Sequence, residues 1–211
     1  MKINIFEFNP IAENTYLLYD DTKECVIIDA GCCNDSENKV LQNFITDNGL
    51  TVKHLINTHL HFDHVLGASF VCSHFGVVLE ANAADKFLLE GMPAQMKMFG
   101  FPPVAAAPVI GKELNDGDVV EFGKQKLHVL HVPGHSPGHV VFYHKESDSL
   151  FTGDVLFRES IGRTDLAGGN HQQLVTGIKK KLLTLPPQTT VYPGHGPATT
   201  IGFEAENNPY L

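Results

Sequence analysis

The chain has 211 residues, 43% of them hydrophobic, which is enough to bury a substantial core without a second domain, so residues 1–211 are expected to form one domain. A formal net charge of −9 leaves no basic stripe of the kind that tracks nucleic-acid phosphates, and no apolar run is long enough to span a bilayer. Neither a nucleic-acid nor a membrane partner is expected, and the oligomeric state is left open. Cys25, Cys32, Cys33 and Cys72 lack metal-binding spacing, and adjacent Cys32 and Cys33 make poor disulfide partners. The run from Met1 to Phe6 reads as a strand and not as an apolar leader, so the expected setting is a reducing cytoplasm.

In chain order, strand-like runs fall at residues 2–8, 14–19 and 25–29. A helix follows at 37–48, with Val40, Leu41, Phe44 and Ile45 assigned to one face and Gly49 closing it. A strand at 52–57 then runs into Thr58-His59-Leu60-His61-Phe62-Asp63-His64, which packs three imidazoles and a carboxylate into six positions. Such a density of nitrogen and oxygen donors suits zinc, iron or manganese better than it suits core packing. Alternate residues of an extended segment point the same way, so His59 and His61 converge on one ion. If the chain turns into a helix near His64, Asp63 and His64 swing elsewhere, which suggests a second ion.

A helix is expected at 64–75, ending before Gly76, then a short strand at 77–80 and a helix at 82–90. Residues 91–108, rich in methionine, phenylalanine, alanine and proline, look too broken for a regular helix. Met92, Met96, Met98, Phe99 and Phe101 fit either an adaptable pocket wall or the core. Further strands are expected at 118–122, 126–132, 139–144, 149–152 and 189–192, and helices at 171–184 and 200–206. Mixed strands with flanking helices make an α/β sandwich, and no internal sequence repeat is evident. Lys179-Lys180-Lys181 reads as a solvated helix face.

Three more ligand candidates stand where strand-like runs end beside glycine: His135 after Pro133-Gly134, Asp154 after Thr152-Gly153, and His195 between Gly194 and Gly196. The repeated order is strand, tight turn, ligand, which holds a donor close to an ion on a stiff tether. His139 reads as structural, and His54, His74, His128, His131, His144 and His171 as ordinary surface or core residues. The loop 155–170 is long for a simple connection and carries Arg158, Arg163 and Asp165. There Arg163 either meets an anionic substrate group or pairs internally with Asp165.

Six motifs carry a resemblance over nearly the whole chain: Ile28-Asp29-Ala30-Gly31, His59-x-His61-x-Asp63-His64, Pro133-Gly134-His135-Ser136-Pro137-Gly138-His139, Thr152-Gly153-Asp154, Gly162-Arg163-Thr164-Asp165 and Pro193-Gly194-His195-Gly196. In order and character the chain resembles metallo-β-lactamase-fold hydrolases, and among them the compact glyoxalase II-like (hydroxyacylglutathione hydrolase-like) group. That resemblance implies a four-layer αββα sandwich with metals at the shared edge of its two sheets. It implies two divalent ions, zinc first, with iron or manganese fitting the same donors. His59, His61 and His135 would hold one, Asp63, His64 and His195 the other, with Asp154 bridging and Asp29 supporting from behind.

The implied reaction is hydrolysis of a small-molecule acyl thioester, S-lactoylglutathione or a related acyl-thiol, by a water ionised between the ions and oriented by Asp63. A thiolate leaves readily because thiols ionise near pH ~8.5. Longer glyoxalase II enzymes carry a carboxy-terminal helical region that holds glutathione, whereas this chain stops at Leu211. Its closing Asn207-Asn208-Pro209-Tyr210-Leu211 resembles the end of the short group. The competing readings are a persulfide dioxygenase with one iron, which shares the Gly-Arg-Thr-Asp loop, and a lactonase or other ester hydrolase. A β-lactamase is disfavoured because no export leader is seen. From outside enzymes, the competitor is a catalytically silent metal-binding module.

Overall fold

The computed structural model describes residues 1–101 and 108–211. Contacts group the chain into two compact units, Met1–Glu113 with Phe122–Gln125, and Leu114–Glu121 with Lys126–Leu211.

In the first unit β1 (Lys2–Phe8), β2 (Glu13–Tyr19) and β3 (Glu24–Ile28) pair antiparallel in sequence order. Helix α1 (Asp35–Asp47) then crosses to β4 (Thr51–Ile56), α2 (Ala68–Phe75) to β5 (Leu79–Ala81), and α3 (Lys86–Met98) to β6 (Ile110–Glu113). Each of these strands lies parallel to the one before it, because parallel neighbours need a long crossover and a helix supplies one. Strands β2 and β3 are buried almost throughout, and Leu17, Ile27, Leu55 and Leu79 anchor one apolar cluster with the helix faces. Cys25 lies in that cluster, and burial pushes its thiol up to about 12.

Helix α1 starts where Asn34 accepts from the Ser36 and Glu37 amides, and Gly49, at φ +62°, follows its end. Leu41 and Ile45 are buried, but Val40 is half exposed, since it lies about 100° around the helix from Leu41. The helix expected at 64–75 divides into a 3₁₀ turn, Phe62–His64, and α2, which begins only at Ala68. Gly67 separates them. A Cβ there would stand 2.2 Å from Cys32 Sγ, so the chain passes too close for a side chain.

The expectation that the segment after residue 90 is too broken for a helix is overturned as far as α3 extends. Met92 and Met96, four apart and both buried, give it a core face that outweighs Pro93. Met98 and Phe99 are exposed, whereas Phe101 packs on the core. Residues 102–107 of the expected irregular stretch lie outside the described residues.

The second unit carries a second six-stranded sheet. Its elements are β7 (Val119–Phe122), β8 (Gln125–His131), β9 (Val140–His144), β10 (Ser149–Gly153), a small hairpin of β11 (Leu156–Phe157) and β12 (Ser160–Ile161), α4 (His171–Gly177), β13 (Thr190–Pro193), β14 (Thr199–Thr200) and α5 (Ile201–Asn207). Across the sheet the order is β14-β13-β10-β9-β8-β7, with β10 and β13 parallel because α4 connects them. Leu150, Val191, Leu174, Ile178 and Ile201 centre its core.

Beyond α4 the helix continues as a wider π-type turn, Ile178–Leu182, so the helical expectation for 171–184 holds with a change of pitch. Within the lysine run, Lys181 bonds Asp116 and the His131 carbonyl, so only part of that face is solvated. The sequence pattern does not mark β11, β12 and β14, which have two residues each, or β6, which buries no residue fully. Among the described residues no helix is long and apolar enough to cross a membrane.

Candidate metal centre

In the first unit β4 delivers the chain to His59, and residues 62–64 then wind into the 3₁₀ turn. The rings of His59 and His61 lie 4.8 Å apart, edge to face, as alternation along an extended segment requires. His64 does not swing away from them. Its ring lies 4.2 Å from His59, because Asn57 Nδ2 donates to the carbonyls of both His59 and His64 and folds the turn back.

Asp29 orients both rings. It accepts from the Thr58 amide (2.7 Å), from Thr58 Oγ1 (2.6 Å) and from His64 Nδ1 (3.1 Å). Since the Thr58 hydroxyl spends its proton on Asp29, its oxygen accepts from His59 Nδ1 at 3.1 Å. Both imidazoles are therefore protonated at Nδ1 and present an Nε2 lone pair, the form a metal ligand needs. Asp29 sits at φ +52°, a strained conformation that costs of order 1–3 kcal/mol and persists where the surroundings fix it. Asp63 places Oδ2 3.7 Å from His64 Nε2.

Three further residues that sequence reasoning missed complete this unit: Asn9, Glu13 and Asn57. Asn9 Nδ2 donates to the carbonyls of Gly31 and Asp63, fixing the backbone that carries Asp63. Glu13 is fully buried behind His64, with Oε1 3.9 Å from Nδ1 and Oε2 accepting from Thr15. Burial raises its pKa well above the usual carboxylate range, more than the neighbouring His64 lowers it. Glycine is required at position 31, where a Cβ would fall 1.9 Å from Glu13 Oε2. No local motif marks Asn9 or Glu13, whose partners include residues far along the chain, and Asn57 acts on the adjacent turn through backbone carbonyls, which no residue pattern displays.

In the second unit His135, Asp154 and His195 come together. Strands β10 and β13 run parallel and end at the same level, and the Gly194 amide donates to the Gly153 carbonyl (2.8 Å), so the residues after each glycine are neighbours. Asp154 Oδ2 lies 3.7 Å from His135 Nε2, and its other oxygen, Oδ1, lies 3.8 Å from His195 Nε2. His135 Nδ1 donates to the Arg163 carbonyl (2.8 Å), which again leaves Nε2 for a metal.

His139 has the structural part expected of it. The Asp154 amide donates to His139 Nε2 and the ring's Nδ1 donates to the Val140 carbonyl, so this histidine positions Asp154. Arg163 and Asp165 form a bidentate pair at 2.7 Å, both side chains exposed. The first unit thus presents two buried imidazoles, His59 and His64, and the second unit one, His135, already oriented through Nδ1 beside a carboxylate, a donor set that fits a divalent cation.

The family profile described as the Metallo-beta-lactamase superfamily matches residues 9–195. The chain therefore belongs to that superfamily, whose α/β fold it has. It is 39% identical over 212 aligned residues to Hydroxyacylglutathione hydrolase GloC of Haemophilus influenzae, covering 100% of this chain and 98% of the relative. Among solved structures it is similar to BLEG-1 B3 metallo-beta-lactamase, with a TM-score of 0.90 at 38% identity, covering 100% of this chain and 99% of that one. It is similar too to TTHA1623 in a di-iron-bound form, with a TM-score of 0.86 at 38% identity and coverage of 99% and 100%. Family and donor set together define a metal-binding hydrolase.

Proposed function

We propose that this protein is a binuclear metal-dependent thioester hydrolase of glyoxalase II type, cleaving S-lactoylglutathione or a related acyl-thiol. The observation that carries the reading is Asp154, which turns one carboxylate oxygen toward His135 and the other toward His195, as a carboxylate shared by two cations would. Its nearly full-length similarity to the relative named a hydroxyacylglutathione hydrolase supports the substrate class. On this reading His59, His61 and His135 hold one ion, Asp63, His64 and His195 the other, and Asp154 bridges. Two divalent ions, zinc first and iron or manganese as alternatives, would supply water ionised near neutral pH and positive charge facing the developing oxyanion.

The chain's own residues then do the rest. Asp29, Thr58 and the Arg163 carbonyl fix the imidazoles, so little reorganisation is left for the reaction. Asp63, beside His64, orients the attacking water. The exposed Arg163 guanidinium can exchange Asp165 for an anionic group of the substrate. The proposal includes one domain spanning both units, a cytoplasmic setting, and no nucleic-acid or membrane partner.

Reconstitution with zinc, iron or manganese, followed by metal analysis, a thioester panel and oxygen uptake with glutathione persulfide, tests this reading. Two ions per chain with thioester turnover is the expected result. Inactivity across the thioester panel removes the assignment, and one iron with oxygen uptake replaces it by a persulfide dioxygenase. Ester or lactone turnover alone would make it a lactonase-type hydrolase. Two ions with no turnover on any ester, thioester or amide would leave a silent metal-binding module.

A further inference from the structure

The hairpin β11–β12 joins two parts of the candidate centre. Asp154 enters it, and the Gly162 amide closes it onto the Val155 carbonyl (3.2 Å) immediately before Arg163, whose carbonyl orients His135. The closure is tight: a Cβ on Gly162 would lie 1.9 Å from the Asp154 carbonyl oxygen and 3.2 Å from His135 Cβ. A movement of this hairpin therefore displaces a ligand at one end and the group that aims another ligand at the other end. With two residues per strand, such a ribbon does not hold its shape alone.

Leu156 and Ile161 seat its base in the unit's core, and the carboxy-terminal helix braces its tip. The turn residue Glu159, at φ +56°, donates its amide to Glu204 Oε2 (2.9 Å), and the next carbonyl, of Ser160, accepts from Asn208 Nδ2 (3.0 Å). Asn208 Nδ2 also donates to Glu204 Oε2 (2.8 Å), and Thr199 Oγ1 donates to Oε1 (2.5 Å). Glu204 is fully buried, and its carboxylate is engaged by three donors, none of them a candidate ligand. Beside this network the Arg158 guanidinium lies over the Phe203 ring, 4.7 Å from its centroid. The proposed reaction uses none of these groups, yet the most buried carboxylate of the helix is spent on the tip of the hairpin.

We infer that Glu204 and Asn208 are positioning residues for the centre, holding Asp154 and, through the Arg163 carbonyl, His135 in ligand geometry. The inference rests on the reading of His135 and Asp154 as metal ligands. In the full-length, zinc-reconstituted protein, Asn208→Ala should weaken zinc binding by about 10- to 100-fold in chelator competition, the usual effect of removing support behind a ligand. Glu204→Leu, which removes the acceptor shared by the Glu159 amide and Asn208 Nδ2, should act in the same direction. The control is Ile201→Val, in the same helix and core but outside the network, which should lower the apo Tm and leave the zinc Kd unchanged.

Wild-type zinc affinity in Asn208→Ala, or an equal loss in Ile201→Val, would overturn the inference. Loss of zinc in His135→Ala alongside wild-type affinity in both network variants would overturn it while leaving the ligand assignment standing. Full zinc binding by His135→Ala would overturn both.

Discussion

In the first unit the candidate ligands come from one short run, His59 to His64, and the groups that aim them are side chains, Asp29 and Thr58. In the second unit they are spread from His135 to His195, and the group that aims His135 is a backbone carbonyl on a braced hairpin. The two sets expose different weaknesses. Side-chain aim is lost by one substitution at the aiming residue, whereas carbonyl aim survives substitution there and fails only when the backbone path moves.

The largest effect that would test this contrast is expected at the ligand shared within the second set. Asp154→Ala should cost more than the roughly 100-fold that marks the upper end for supporting residues, and should lower the metal content, both read from kcat and metal analysis of one preparation. A variant retaining both ions and near wild-type kcat would break the comparison at its root. Next comes Asp29→Asn, which keeps the shape and the tolerance for positive φ but withdraws the charge that accepts from His64. It should lower metal affinity or kcat by about 10- to 100-fold.

A smaller effect concerns the support beneath the first unit's sheet. Glu80, buried on β5, accepts from His54 and Lys112, and the Asn57 amide donates to its backbone carbonyl. Burial works against the charge of Glu80, but the hydrogen bonds from His54 and Lys112 outweigh it and hold its pKa below the ordinary 4.5. A lowered carboxylate pKa stabilises the fold above the ordinary value, and that stability is lost as pH falls through the lowered one. Glu80→Gln should therefore cost about 1–2 kcal/mol near pH 7, the exposure of Lys112 keeping it modest, and the gap to wild type should close below pH 4.5 in denaturant titrations. A gap that widened in acid would contradict the assignment.

The smallest effect is expected at Arg163. Its exposed pair with Asp165 is screened by water and contributes little to stability, and its carbonyl survives Arg163→Ala, so metal content and Tm should stay near wild type. A change in KM alone would assign the guanidinium to substrate. Unchanged kinetics would leave it to loop shape.

The same contrast explains what the sequence disclosed. Donors crowded into residues 59–64 announce themselves, and the strand, turn, ligand order at His135, Asp154 and His195 needs only a short window. Asn9, Glu13 and Asn57 gave no such signal, since Asn9 reaches 54 positions along the chain to the Asp63 carbonyl. Nor did Glu204, and the closing motif that contains Asn208 says nothing of its partner at residue 160. Most long elements were visible in their apolar period; α3 was cut short because Pro93 outweighed the spacing of Met92 and Met96, and β6 is a short edge strand with little buried on it. Val40 was misassigned because a helix face is narrower than a run of neighbouring apolar residues suggests.

The depth at which Cys25 lies has a chemical consequence for an enzyme proposed to release thiols. With its ionisation pushed up to about 12, only about one copy in 10⁵ carries a thiolate at pH 7, and the thiolate is the form that attacks a disulfide. Burial raises the other three thiols as well. Such a chain has little tendency to exchange with the disulfides that form if thiol products of the proposed reaction are oxidised.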